Sequence, residues 1–119
     1  MQMQESAQMY LETIYVLSRQ GNPVRSVDIA AHMGYSKPSV SRAVGLLKQS
    51  GHVTVDENGL LHLTQKGLTE AANIYDRHNV ICRMLTMLGV DPKVAAQDAC
   101  RIEHVISEES FQAMKKHLG

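Results

Sequence analysis

The stretch Ser26-Val-Asp-Ile-Ala-Ala-His-Met33-Gly34-Tyr35-Ser36-Lys-Pro-Ser-Val-Ser-Arg-Ala-Val-Gly-Leu-Leu-Lys48 decides the fold. Ser26 precedes a short apolar run, Asp28 lies in its first turn and Gly34 just beyond its end. That pattern predicts a capped helix of about two turns. Ser36 then stands as an N-cap with Lys37 and Pro38 in the first turn. Val40, Val44 and Leu47 mark one face of a second helix that runs until Gly51. Two short helices joined by a tight glycine-containing turn are the pattern of a helix-turn-helix.

The flanks extend the motif. From Glu5 to Gln20 the residues Met9, Tyr10, Leu11, Ile14, Tyr15, Val16 and Leu17 form a broad apolar helical face, ended by Gly21-Asn22-Pro23. Downstream, His52-Val-Thr-Val-Asp56 and Leu60-Leu-His-Leu-Thr64 flank Glu57-Asn58-Gly59. Asn-Gly can supply the positive φ angles of a tight hairpin, so a wing is expected. Beyond Gly67, apolar positions from Leu68 to Leu88 sustain a long helix to Gly89. Asp91 as N-cap with Pro92 at the first helical position starts a helix through about Ile106. Ser107-Glu108-Glu109 opens a last one, with its carboxylates at the positive end of the dipole. The expected fold is mainly α: a winged helix-turn-helix with a small β-hairpin wing over residues 1–66, then a helical unit over 67–119.

A chain of 119 residues leaves no room for a large multidomain enzyme. With 44% hydrophobic and 20% charged residues it has the composition of a folded globular protein. No run approaches the length of a membrane span. The start, Met-Gln-Met-Gln-Glu-Ser, lacks the basic-then-apolar pattern of a secretory signal, so a cytoplasmic location is expected. In such a reducing compartment Cys82 and Cys100 should remain thiols, available to metals. Net charge is zero but uneven: residues 19–66 hold six cations against three acids, an excess of +3. The remainder carries −3.

On the second helix of the motif, Ser36, Lys37, Ser39, Ser41, Arg42 and Lys48 lie outside the Val40–Val44–Leu47 stripe. Hydroxyls and cations suit phosphates, and a side chain such as Arg42 can read guanine. Arg25 joins them as a candidate DNA contact. Any one of these residues alone reads as an ordinary solvated helix face. Together with the short helix before and the hairpin after, they favour a winged-helix module on double-stranded DNA. So modest a basic excess implies a dimer offering two recognition helices, with the apolar face of residues 68–88 as a possible interface or an ordinary core.

Cys100-Arg-Ile-Glu103-His104 carries a second chemistry. A thiol, a carboxylate and an imidazole at i, i+3 and i+4 lie within about 100° of one another around a helix axis. Met9 and Glu12 repeat the i, i+3 spacing on the first helix, and His78 lies on the long one. Singly, Met9 reads as packing, Cys100 as a small hydrophobe, the acids as solvated and the histidines as surface or satisfied core. Six donors from three elements point instead to one ion. Thioether and thiolate turn such a site away from magnesium, calcium and manganese towards iron, cobalt, nickel or zinc. Ferrous iron is the expected ion and zinc the chemical alternative. There is no His-Glu-x-x-His helix, nucleophile motif or glycine-rich phosphate loop, so no enzyme is expected. A metal-independent winged-helix regulator, or a small metal-storage or metalloenzyme unit with an incidental helix-turn-helix pattern, remains open on the residues alone.

The residues resemble the diphtheria toxin repressor family, the iron- and manganese-responsive bacterial regulators. The resemblance rests on Met9-Tyr-Leu-Glu-Thr-Ile-Tyr15, Val27-Asp-Ile-Ala30, Ser36-Lys-Pro-Ser-Val-Ser41, Leu63-Thr-x-Lys-Gly67, Arg77-His78 and Ala99-Cys-Arg-Ile-Glu-His-Val-Ile-Ser107. It implies a homodimer whose winged helix binds a palindromic operator when a divalent metal sits between that domain and the dimerisation helices, with repression of metal-homeostasis genes as the outcome. By position, Met9, Cys100, Glu103 and His104 match the primary site of the iron-responsive branch. Glu12 and His78 match metal-binding positions of the manganese-responsive branch, where an acid replaces each sulfur donor seen here. The resemblance therefore implies Fe2+, with Mn2+, Co2+, Ni2+ or Zn2+ as alternatives. It does not extend to the iron branch's ancillary site, since Cys82 follows His78 where a glutamate is usual and Ala96 replaces a histidine. The chain ends short of the SH3-like third domain of longer members. On the DNA side it implies operator contacts by Ser36, Pro38, Ser39 and Arg42, with Arg42 standing where a shorter amide is familiar.

Overall fold

The structure, a computed structural model, describes residues 5–119. Its elements run α1 (Glu5–Arg19), α2 (Ser26–Met33), α3 (Lys37–Gln49), β1 (Val53–Val55), β2 (Leu61–Leu63), α4 (Gln65–Met87), α5 (Pro92–Ile102) and α6 (Glu108–Leu118). This is the mainly helical architecture with a small hairpin expected from the sequence. The chain divides into two compact units, one ending at Ala72 and one beginning at Asn73, within the length of α4.

In the first unit the apolar stripes of α1, α2 and α3 meet. Tyr10, Leu11, Ile14, Val24, Ile29, Val40, Val44, Leu47, Val53, Leu61 and Ala71 share one core. Gly34 adopts the left-handed region at φ 72° and donates from its N–H to the Ala30 carbonyl, ending α2 as its position predicts. The start of α2 differs from expectation: Arg25 is the N-cap and Ser26 the first helical residue. The carboxylate of Asp28 explains this, since its Oδ2 accepts from the Arg25 N–H at 2.8 Å and fixes the turn one residue early.

The hairpin is antiparallel, pairing Val53 with Leu63, Thr54 with His62 and Val55 with Leu61. Its turn departs from the expected geometry, because only Gly59 has positive φ, at 79°. Asp56 supplies the reason. Its Oδ1 accepts from the N–H groups of Asn58 and Leu60 at 2.8 and 3.0 Å, which holds Asn58 at negative φ. Just past the turn, the Leu61 N–H donates to the Val24 carbonyl at 2.8 Å and ties β2 to the segment before α2.

The long helix also starts earlier than Gly67. Thr64 Oγ1 accepts from the Gly67 N–H at 3.1 Å, acting as the cap, while its hydroxyl donates to the Gly51 carbonyl at 2.7 Å. Gly67 lies inside the first turn for a packing reason: a Cβ there would fall on the carbonyl oxygen of His52.

In the second unit, Asp91 caps α5 by accepting from the Lys93 N–H at 3.1 Å, and Ser107 caps α6 by accepting from Ser110 at 3.1 Å. Helix α5 ends at Ile102, not near Ile106. Glu103 closes it with helical backbone angles, and His104 lies in the turn beyond. Ile74, Val80, Ile81, Ala95, Ala99 and Phe111 are its buried apolar residues. Among the described residues no helix is long and apolar enough to cross a membrane.

Candidate functional site

Burial of one carboxylate defines the candidate metal centre of the second unit. Glu103 is 1% exposed. Its Oε2 lies 2.9 Å from Nδ1 of His78, which reaches it from α4 across 25 residues of chain. Its Oε1 lies 3.3 Å from Nε2 of His104, whose side chain is also fully buried. Two imidazoles thus face the two oxygens of one acid. Oε1 is buried and, among the described residues, receives no hydrogen bond. Leaving such an acceptor unsatisfied costs roughly 1–3 kcal/mol, more when charged. A divalent cation is a partner that would offset that cost, and carboxylate with imidazole suits most first-row divalent metals. Cys100, which forms no disulfide, precedes Glu103 by one helical turn near the end of α5. The carboxylate and imidazoles therefore fit a divalent first-row metal without selecting one.

The structure brings three of the six predicted ligands, His78, Glu103 and His104, into direct contact. Met9 and Glu12 belong to the first unit, one turn apart on α1 and half-buried beside Leu11. Thr13 donates from Oγ1 to the Met9 carbonyl at 2.9 Å and holds that turn.

The role of one residue in the centre's surroundings escaped the sequence reading. Arg77 donates to the carbonyl of Ile106 at 2.8 Å and to Oε2 of Glu108 at 2.7 Å, and its guanidinium lies 5.3 Å from the Phe111 ring centre. It therefore pins the turn that contains His104 to the helix that carries His78. This positioning role left one signal in the sequence, the adjacency of Arg77 to His78, and nothing in its spacing disclosed the partner 29 residues away. Lys115 repeats the tie lower on α6, with Nζ 2.8 Å from Oδ2 of Asp76. At Glu108 the hydrogen bonds from Gln112 and Arg77 hold the carboxyl below its ordinary value.

On the first unit, α3 presents the predicted polar face. Lys37, Pro38, Ser39, Ser41, Arg42 and Lys48 are exposed, as is Ser36 at its N-cap. Ser36 Oγ accepts from the Ser39 N–H at 3.3 Å and donates to Ser39 Oγ at 2.8 Å, so the Ser39 hydroxyl hydrogen is left to donate outward. Arg25 is exposed at the head of α2, with its backbone engaged by Asp28. On the hairpin, His62 Nε2 lies 2.9 Å from Asp56 Oδ2. That hydrogen bond, followed by those from Leu60 and Asn58, lowers the Asp56 carboxyl below its usual value.

Comparison with known proteins adds the lineage of both halves. Residues 2–64 match the family model described as the iron dependent repressor, N-terminal DNA binding domain. Residues 64–119 match the one described as the iron dependent repressor, metal binding and dimerisation domain. An uncharacterised HTH-type transcriptional regulator of Methanocaldococcus jannaschii is 32% identical over 115 residues, covering 95% of this chain and 92% of the relative. The diphtheria toxin repressor of Corynebacterium diphtheriae is 34% identical over 115 residues, covering 96% of this chain and 51% of its own length. The solved structure of the manganese regulator SloR superposes with a TM-score of 0.82 at 28% identity, over 94% of this chain and 53% of that one. The chain thus spans about half of the length of the latter two.

Proposed function

This chain belongs to the iron-dependent repressor family, and from that premise we propose that it is a metal-dependent DNA-binding transcriptional repressor of metal-homeostasis genes, acting as a cytoplasmic homodimer on a palindromic operator. The observation that carries the reading is the buried Glu103 carboxylate facing His78 and His104, with an oxygen that no hydrogen bond from the described residues reaches. Met9, Glu12, His78, Cys100, Glu103 and His104 are the proposed ligands. Residues 1–66 bind DNA and 67–119 serve dimerisation and metal binding. When bound, the cation supplies the positive charge that a buried carboxylate, a thiolate and two imidazoles can share.

The other parts belong to the polypeptide. Arg77 holds the His104 turn against α4, so the donors of the second unit stay in register. Met9 and Glu12 lie on α1, whose Leu11 and Ile14 pack into the same core as Val40 and Val44 of α3. Any constraint on α1 is thereby felt by the recognition helix. Lys37, Ser39 and Lys48 hold phosphates, with Arg25, Ser36, Pro38 and Ser41 beside them, and Arg42 reaches a base edge. The sulfur donors favour Fe2+ over Mn2+. The manganese reading keeps one specific support, the direct contact of His78 with Glu103, since neither of those donors is a sulfur.

Gel-shift titration of a selected operator with Fe2+ or Mn2+, under nitrogen and with or without chelator, tests this function. The expected result is tight binding only with metal, stronger response to Fe2+, and loss of response in Cys100→Ala. Equal operator affinity with and without chelator would remove the sensor.

A further inference from the structure

Gly45 sits in the interior of α3, where the fold has no need of a glycine. Its φ is ordinary, and a Cβ built on it would meet nothing within 4 Å. Alanine would fit there and would stabilise the helix. One turn of exposed surface surrounds it. Successive positions rotate by about 100°, so Pro38, Arg42, Gly45, Leu46 and Gln49 fall opposite the buried Val40, Val44 and Leu47. Leu46 is 60% exposed, an apolar side chain that the core leaves out. Among the described residues the Arg42 guanidinium takes part in no hydrogen bond or ion pair, and Lys37 and Lys48 flank the strip towards its two ends. A bare backbone patch between a guanidinium and an apolar side chain, edged by cations, fits a polyanion with grooves.

We infer that Arg42, Gly45 and Leu46 form the base-reading strip of α3: Arg42 takes the O6 and N7 edge of a guanine, Leu46 packs on the C5 methyl of a thymine, and Gly45 lets the helix backbone approach the duplex. The two readers are four residues apart, roughly 6 Å along the helix, so the guanine and thymine lie within about two base pairs of each other. The inference rests on the DNA-binding reading above and deepens it by fixing part of the operator's sequence. It also assigns a task to Leu46 and Gly45, which hydrogen-bonding logic passes over.

The test selects duplexes from a randomised library with the full-length, metal-loaded protein, then measures affinities on the winning site. Wild type is expected to select a guanine and a thymine within two base pairs in each half-site. Uracil in place of that thymine removes only the methyl. It should weaken wild type severalfold and leave Leu46→Ala unchanged. Arg42→Ala should lose the guanine preference and about tenfold or more in affinity. Gly45→Ala should melt at a higher temperature yet bind at least tenfold more weakly, opposite signs that a structural role for the glycine would not produce. Selected sites lacking the pair, a uracil duplex bound as tightly as the thymine one by wild type, or Gly45→Ala binding like wild type would each overturn the inference. If the strip instead serves a protein partner, all three variants will bind the selected duplex normally. A wild type that selects no duplex overturns the regulator reading and this strip with it. A selected site bound equally with chelator overturns only the metal dependence.

Discussion

The two halves of the chain solve burial by different means. Up to Ala72 the interior is almost wholly aliphatic and aromatic, and polar groups serve at its edges as caps: Ser36, Asp56 and Thr64 each satisfy backbone N–H groups where an element begins or turns. From Asn73 onward the buried apolar set is smaller and in part alanine, and a carboxylate, an imidazole and most of a guanidinium are buried with it. Apolar contact does not depend on which solutes are present. Buried charge does, because its cost depends on what neutralises it. One half is therefore suited to be a fixed reader and the other to respond to an ion.

The sharpest attack on this contrast removes a core side chain from the reader. Leu11 is fully buried, and Leu11→Ala should cost about 2–5 kcal/mol in chemical denaturation. Added metal should leave the mutational difference intact if the core is held by apolar burial alone. The complementary experiment loads the responsive half. Divalent metal at about 100 times its dissociation constant should stabilise wild type by about 2.7 kcal/mol, visible as a rise in melting temperature. Glu103→Gln keeps the shape and removes the charge, so its melting temperature should not respond. An equal rise in both proteins would show that the ion binds elsewhere.

Arg77→Met tests whether the responsive half depends on its charge clamps. It removes two hydrogen bonds from a charged donor and should cost about 1.5–3 kcal/mol, with metal affinity falling as the His104 turn loosens. Unchanged metal affinity would reduce Arg77 to a structural tie. In the reader, Gly67→Ala places a methyl on the His52 carbonyl, an overpacking expected to cost about 1–3 kcal/mol. A melting temperature equal to wild type would mean that the hairpin base yields.

The smallest expected effect is one of pH. Burial holds the His52 imidazole below its ordinary 6.5, with Lys66 adding to the lowering and Glu70 opposing it. Because the folded value is the depressed one, the unfolded chain takes up the proton first as pH falls. The stability tied to neutral His52 is complete above about 6.5 and is lost as pH falls from there towards the folded value. Melts from pH 7.5 down to 5 should show this decline, and His52→Gln should flatten it. A wild-type profile no steeper than that of the variant would remove His52 as the cause.

Most of the reader could be seen in the sequence because its signals are local. The Val40–Val44–Leu47 spacing, Gly34 past the end of one helix and Ser36 before the next act within a few residues of themselves. The structure departs from the sequence pattern where one group acts on the backbone of another residue. Asp28 moved the start of α2 by one residue, Asp56 gathered two N–H groups and changed the hairpin turn, and the His52 carbonyl accounts for Gly67 inside a helix rather than before it. In the responsive half, the chemistry of the donors could be read at Cys100, Glu103 and His104. That His104 leaves the helix, and that Arg77 pins its turn, could not.

By itself the sequence determined the helical order, the caps and the kinds of atoms offered to DNA and to a cation, since each follows from periodicity or from side-chain chemistry at short range. Only the tertiary structure decided that His78 meets Glu103 across 25 residues, that one oxygen of that acid is buried and receives no hydrogen bond among the described residues, and that Leu46 stays outside the core beside a glycine with room to spare. Those facts depend on how whole elements pack, and packing sums contacts between residues whose separation along the chain carries no mark of their nearness in space.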